Sequence, residues 1–235
     1  MKRLAVVVLL SCSTFAAAQT CERPNDSSGT GVASQSDEVR LAFLSRLLLE
    51  ESGRAYAWRL GWGATYGALT IAQLTVMSVV DKGDQPDWYW GAITSVIGVA
   101  FTILDPPEVL EAGPLYAQRA RVVPEGERCK LIAEGERLLE QGAEHEEGSV
   151  AWYLHAGNIL LNVGVGLLLW LAYDHLVTGL VNAGVGAAVG EATMFTSPTH
   201  LISGWKQYRN GEKPPAVTIH VLPTAGPGVG VLLTF

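Results

Sequence analysis

Four apolar stretches, at residues 57–80, 88–104, 150–173 and 176–192, constrain this chain more than anything else in it. The first and third are long enough to span a hydrocarbon layer, which takes about 20 apolar residues, and the other two sit at or below the lower limit of about 17. Each short stretch follows a long one across a tight connection, residues 81–87 in one case and little more than Asp174 and His175 in the other. Connections this short make neighbouring helices antiparallel, so two helical hairpins are expected. Composition agrees: 49% hydrophobic residues against 17% charged leans away from an ordinary soluble chain.

The two pairs are alike. One begins Ala57-Trp58-Arg59-Leu60 and the other Ala151-Trp152-Tyr153-Leu154; one ends Asp105-Pro106-Pro107 and the other Ser197-Pro198-Thr199. An internal duplication explains this, with the general likeness of apolar helices as the alternative. In lipid, helices associate through small residues that let backbones approach. The expected packing positions are Gly63 and Gly67 in the first stretch, Gly91, Ser95, Gly98 and Thr102 in the second, and Gly179, Ala183, Gly186 and Gly190 in the fourth.

Residues 1–18 carry Lys2 and Arg3, a short apolar run from Leu4 to Leu10 and an A-x-A site at Ala16 to Ala18. This is the pattern of a secretory signal peptide; a lipoprotein box at Leu9-Leu10-Ser11-Cys12 is the alternative. Cleavage after Ala18 removes Cys12 and leaves Cys21 and Cys129, which an oxidising compartment would join in one disulfide, two free thiols being the other reading. It also takes the formal charge from −7 to −9 by removing Lys2 and Arg3. An acidic exported chain is a poor partner for nucleic acid.

After a polar segment at 19–35, Ser36 opens an amphipathic helix with Val39, Phe43, Leu44, Leu47 and Leu48 on its apolar face, leading into the first hairpin to complete a unit at 36–104. The acidic exported segment at 105–149 pairs Leu131 and Ile132 with Leu138 and Leu139, which predicts a second amphipathic helix running on into the third stretch. The second hairpin occupies 150–196. In the exported tail, 197–235, β-branched runs flank a Pro/Gly turn and predict a short β-hairpin. Val229, Val231, Leu233 and Phe235 alternate in a way that resembles the closing strand of bacterial outer-membrane barrel proteins, a likeness confined to the tail. The expected fold is an all-α membrane protein with a short C-terminal β-hairpin.

One carboxylate is out of place in this scheme. Glu191 lies within GVGAAVGEATMF, and a carboxylate among such residues needs a partner. If the second hairpin turns at Asp174 and His175, residues whose numbers sum to about 349 share a height, which sets Glu191 across from Asn158, with His155 and Asn162 on the turns either side. Arg59 falls at a similar depth. Arg59, His155, Asn158 and Glu191 thus form a polar intramembrane layer that either fixes helix register or handles a ligand or proton.

Catalytic signatures are missing from the sequence: it has no GxSxG elbow, P-loop, HExxH or CxxC, and His145, His155, His175, His200 and His220 lack metal-ligand spacing. Neither an enzyme, nor a metal, nor a cofactor is expected. The reading is a non-enzymatic integral membrane protein of the bacterial cell envelope, structural or assembly in role, with the bilayer, other envelope proteins or a second copy as partners. A small channel or carrier subunit using the Glu191 layer, and an exported soluble helical bundle, are the alternatives. The inner membrane is favoured, the outer membrane being suggested by the tail. Arg119, Arg121, Arg128, Lys130 and Arg137 fall in the segment expected outside, against the positive-inside rule, which keeps the soluble bundle open.

Overall fold

The computed structural model describes residues 21–24, 29–104, 106–212, 218–223 and 229–234, with side chains described only as far as residue 212. The expected signal peptide at 1–18 lies outside the described residues. The fold is all-helical, with α1 (Asp37–Val79), α2 (Gln85–Leu104), α3 (Val109–Ala120), α4 (Arg128–Ser149), α5 (Trp152–Tyr173), α6 (Leu176–Phe195) and α7 (His200–Asn210). In the tail, 218–223 is placed antiparallel to 229–234. The turn at 224–228 and Phe235 lie outside the described residues, so the expected β-hairpin is not counted into the fold.

Ser36 caps α1 by accepting from the Val39 N–H, and Asp37 and Glu38 in the first turn suit the positive end of the helix dipole. The helix then continues for 43 residues without a break, about 65 Å at 1.5 Å per residue. Its first half buries Arg40, Leu44, Leu48, Glu51, Ser52 and Ala55. Phe43 and Leu47 pack at the margin of this face, whereas Val39, which the sequence puts on it, is 47% exposed. Arg40 is the reason. Its side chain turns inward to polar partners, so the buried stripe runs along Arg40 rather than Val39.

Around that stripe α3, α4 and α7 close to form a head with Leu44, Leu48, Tyr116, Ile132, Leu139, Leu201 and Tyr208 at its centre. The four paired residues Leu131, Ile132, Leu138 and Leu139 of α4 are all buried. α4 does not run on into α5; Val150 and Ala151 leave the helical conformation between them. α3 holds Pro114, which cannot donate to the Leu110 carbonyl, and Ser52 Oγ on α1 donates to that oxygen instead at 2.7 Å. Gly113 allows the two helices to come this close: a Cβ there would stand 2.5 Å from the Leu48 carbonyl oxygen.

Two further links lock the head. Cys21 and Cys129 form a disulfide across 108 residues, with their Cα atoms 5.0 Å apart. Beside it the Arg40 guanidinium, 1% exposed, uses all five N–H donors: on the carbonyls of Cys21 and Glu22, on Asp37 and Glu136, and on the Tyr208 hydroxyl. Burial works against its charge, and the bonds to Glu136 and Tyr208 outweigh that and hold the proton more firmly.

Beyond the head, the second half of α1 lies antiparallel to α2: Arg59 reaches Thr102, Tyr66 lies against Gly98, and Gln73 meets Ser95. α5 lies antiparallel to α6, with Gly166 opposite Gly179 and Ala183. The close approach expected at Gly63 and Gly67 is made elsewhere: Gly67 faces open space, Gly63 has Thr102 at an ordinary 3.5 Å, and the tight contacts of this pair are at Gly91 and Gly98. α2 joins the pairs by packing on both α5 and α6. α1 reaches α6 through Trp58 Nε1 to the Thr193 carbonyl, Trp62 Nε1 to the Thr196 hydroxyl and a Tyr66–Thr193 hydroxyl pair at 2.7 Å.

Among the described residues, three helical stretches are long and apolar enough to cross a membrane by length and composition, and they contain α2, α5 and α6. The stretch at 57–80 is not among them, because Thr65, Tyr66, Thr70, Gln73, Thr75 and Ser78 dilute it. Four of these hydroxyls, on Thr65, Thr70, Thr75 and Ser78, donate to carbonyls of α1 itself. Replacing Cys21 and Cys129 together by alanine lowers stability by about 5 kcal/mol, the loop-closure value for a loop of this length. A fall in the denaturant midpoint of the head checks this; an unchanged midpoint would show that the staple carries no load.

Candidate functional site

Glu191 sits one turn before the end of α6, facing α5. Asn158 Nδ2 donates to Glu191 Oε1 and to the Ala187 carbonyl, both at 3.0 Å, and His155 Nδ1 lies 2.6 Å from Glu191 Oε2. Asn162 Nδ2 donates in turn to Asn158 Oδ1 at 2.9 Å, so the amides relay the contact one turn deeper. The turn at Asp174 and His175 sets this register: Asp174 takes the left-handed conformation and the chain reverses in two residues. Arg59 does not join the layer. Its guanidinium donates to the carbonyls of Thr102 and Ile103, in the last turn of α2. Carbonyls at a helix end lack intrahelical donors and carry the negative end of the dipole, which draws the cation there rather than to Glu191.

Below the layer, between α1, α2, α5 and α6, lies a cavity of about 340 Å³. Its wall carries the amides of Gln73, Asn158, Asn162 and Asn182 and the hydroxyls of Tyr66, Thr94, Ser95 and Thr193, set among apolar residues such as Ile97, Phe101 and Val185. Among the described residues no charged side chain lines it. Glycines fit α6 tightly to the amide face of α5: a Cβ on Gly186 would stand 2.0 Å from Asn162 Oδ1, and one on Gly190 2.1 Å from Asn158 Oδ1. No known protein family, characterised protein or solved structure matches the chain. What the site does must be read from its own chemistry.

At the far end of the bundle, His175 Nδ1 lies 2.9 Å from Asp87 Oδ1, linking the two helical turns. The sequence reading did not pair these residues, although both flank the turns it had drawn. It also missed a cluster where head and bundle meet, beside a second cavity of about 340 Å³. There Glu51 of α1 and Glu146 of α4 are both buried. Arg54 donates to Glu51 at 3.1 Å, and His200 Nδ1 lies 3.6 Å from the same oxygen. Glu146 Oε2 accepts the N–H groups of Leu201 and Ile202 at the start of α7, at 2.8 and 3.2 Å. One signal was available: Glu146 follows Ile132 and Leu139 at intervals of seven, on the face that α4 buries.

Burial, reinforced by the Glu51 charge, pushes Glu146 up to about 9 against the pull of the two backbone N–H groups. Burial also raises Glu51, with Arg54 opposing. At neutral pH Glu146 therefore keeps its proton beside Glu51. A third group, Cys21, Asp37 and Cys129, brings ligand-type atoms within 4.8 Å of one another, but the two sulfurs are bonded to each other and offer no thiolate.

Two outcomes follow from this geometry. Glu191→Ala strands His155 and Asn158 and costs on the order of 1 to 3 kcal/mol, whereas Glu191→Gln keeps an acceptor and costs less; thermal midpoints in detergent compare the two. For Glu146 the folded state binds the proton more tightly than the unfolded one. Its contribution is complete below the ordinary 4.5, declines as pH rises and is gone above about 9. Glu146→Gln, which keeps the neutral form, is more stable than wild type at pH 8 by on the order of 1 to 3 kcal/mol, and its midpoint declines less between pH 5 and pH 9. Parallel pH profiles for the two proteins would contradict this.

Proposed function

We propose that the protein is a non-enzymatic integral membrane protein of the bacterial cell envelope, with its bundle of four helices in lipid as two hairpins and its disulfide-bonded head on the exported face. One observation carries this reading. The head encloses most of its large apolar side chains, Leu115 and Val122 being exposed, whereas the bundle turns Ile71, Ile103, Leu160, Leu171, Val177 and Leu180 outward, each more than half exposed. An exported soluble bundle would have to cover such a surface, which is far larger than a monomer in water tolerates. Aromatic residues mark its two ends, with Trp152 and Tyr153 at one end of α5 and Trp170 and Tyr173 at the other. From Trp152 to Tyr173 is about 32 Å at 1.5 Å per residue, close to the roughly 30 Å thickness of a hydrocarbon core, with the aromatic residues at its two interfaces.

The disulfide supports an oxidising, exported location for the head, in keeping with the leader-like residues 1–18. The amides and hydroxyls set in the otherwise apolar cavity wall favour a second reading over pure scaffolding, that of a small channel or carrier subunit, since polar groups inside a lipid-facing bundle mark pathways. A short C-terminal hairpin beyond the last helix remains part of the proposal. Alkaline carbonate extraction of membranes tests the membrane reading, with the protein expected in the pellet and its head open to protease from the exported side. Recovery in the carbonate supernatant without detergent would overturn it.

A further inference from the structure

Three helices bring two amides together inside the bundle. Gln73 of α1 and Asn182 of α6 meet over Gly91 of α2, where a Cβ would stand 2.8 Å from Gln73 Nε2 and 3.4 Å from Asn182 Oδ1. Each of the three residues lies six positions from the turn end of its helix, at Val79, Gln85 and Leu176, or about 9 Å in from that end. Gln73 Oε1 accepts from the Ser95 hydroxyl. The two N–H groups of Gln73 Nε2, and the whole Asn182 amide, make no hydrogen bond to another described residue, and both amides stay open to the cavity they line. Amides left this way in hydrocarbon are costly, so the arrangement asks for an occupant.

The cavity limits what that occupant can be. Its volume of about 340 Å³ is drawn out along α6 from Asn182 to Met194, about 18 Å of helix, which makes it long and narrow. An apolar cavity of about 150 Å³ holds one benzene ring, and in proportion this one takes on the order of a dozen heavy atoms. Most of the wall is apolar, and among the described residues no charged side chain lines it. An ion would enter without a counter-charge, which excludes a charged head group. Ile97, Phe101, Tyr153 and Val185 line the cavity and are also exposed on the outer face of the bundle, so it opens sideways.

We propose that this cavity is a binding site for an uncharged, chain-like molecule with a carbonyl at one end, the chain lying along α6 and the carbonyl oxygen accepting from the amides of Gln73 and Asn182. The inference rests on the membrane reading above, which supplies the hydrocarbon from which such a molecule enters. A carbonyl fits because the unused groups on Gln73 are donors. The other amides of the wall fix the direction of the chain. Asn158 and Asn162 already spend their N–H groups on Ala187, Glu191 and Asn158, so the available donors lie only at the Gln73 end. Nearby hydroxyls are spent as well, Thr94 on the Gly91 carbonyl and Ser95 on Gln73.

The test uses the full mature chain reconstituted in phosphatidylcholine vesicles and a photoprobe, methyl nonyl ketone with a diazirine at the far end of its chain. Insertion is read separately, by carbonate extraction and protease access to the head. After irradiation, peptide mass spectrometry should place most of the label near Met194, at the end of the cavity away from the two amides. Excess methyl nonyl ketone should suppress that label several-fold, whereas undecane and dodecanoate should not. Gln73→Leu and Asn182→Leu, each checked for an unchanged thermal midpoint, should lose most of it. Gly157 lines the cavity with open space where a side chain would begin, so Gly157→Leu should reduce labelling while both amides stay intact. Glu140→Gln on the head should label as wild type. Inserted protein whose label is spread over the lipid-facing surface, or is not suppressed by the ketone, overturns the site and leaves the membrane reading standing. So does suppression by undecane equal to that by the ketone, or full labelling of the folded Gln73→Leu and Asn182→Leu variants. Wild-type protein that fails to insert overturns the membrane reading and the site together.

Discussion

α1 has to satisfy two surroundings with one unbroken helix, and the rest of the molecule is arranged around that constraint. Ser52, Arg59, Tyr66 and Gln73 follow one another at intervals of seven along it, and each makes a hydrogen bond to another helix: to Leu110 of α3, Thr102 of α2, Thr193 of α6 and Ser95 of α2. An ideal helix drifts by about 20° per seven residues, so a strict seven-residue line turns slowly around the axis and meets different neighbours along its length. The head and the bundle are thus held in register by a row of polar contacts on a single element. Apolar packing fills the space between them but does not by itself choose the register.

The two halves treat polarity differently. In the head, ionisable groups are buried outright: Arg40 has a partner for every N–H, and Glu146 receives two backbone donors and keeps its own proton. In the bundle the buried polar groups are mostly neutral amides and hydroxyls, and the carboxylates sit towards its ends. That division follows from the cost of charge. A guanidinium can be satisfied where loops and carbonyls converge, whereas between close-packed helices the backbone is already used and only side chains are left to answer it.

Much of this could be read from the residues alone. The antiparallel arithmetic around Asp174 and His175 set Glu191 opposite Asn158 with His155 beside it, because a two-residue turn leaves the register no freedom. The leucine pairs of α4 announced a buried face. Other features depended on contacts distant in sequence. Pro114 looks like a helix breaker until Ser52 supplies the donor its neighbour lacks. α7 is only 11 residues long and buries Leu201, Gly204 and Tyr208, too brief a pattern to stand out in a tail rich in turn residues. Arg59 was assigned by depth, which ignores the pull of a helix end two residues of chain could not reveal. Gly63 and Gly67 had the right spacing for close packing, yet spacing says nothing about which side of the helix a neighbour occupies.

The disulfide also imposes an order of events on the making of the chain. Cys21 is synthesised 108 residues ahead of Cys129, a lag of roughly 5 to 20 seconds at ordinary rates of translation. All residues of α2 and α3, and all of α1, are made in that interval, so the whole first antiparallel pair is available before the staple of the head can close. The shell around Arg40 is completed later still, when Tyr208 of α7 arrives. The head therefore cannot be completed until its most C-terminal helix has been made.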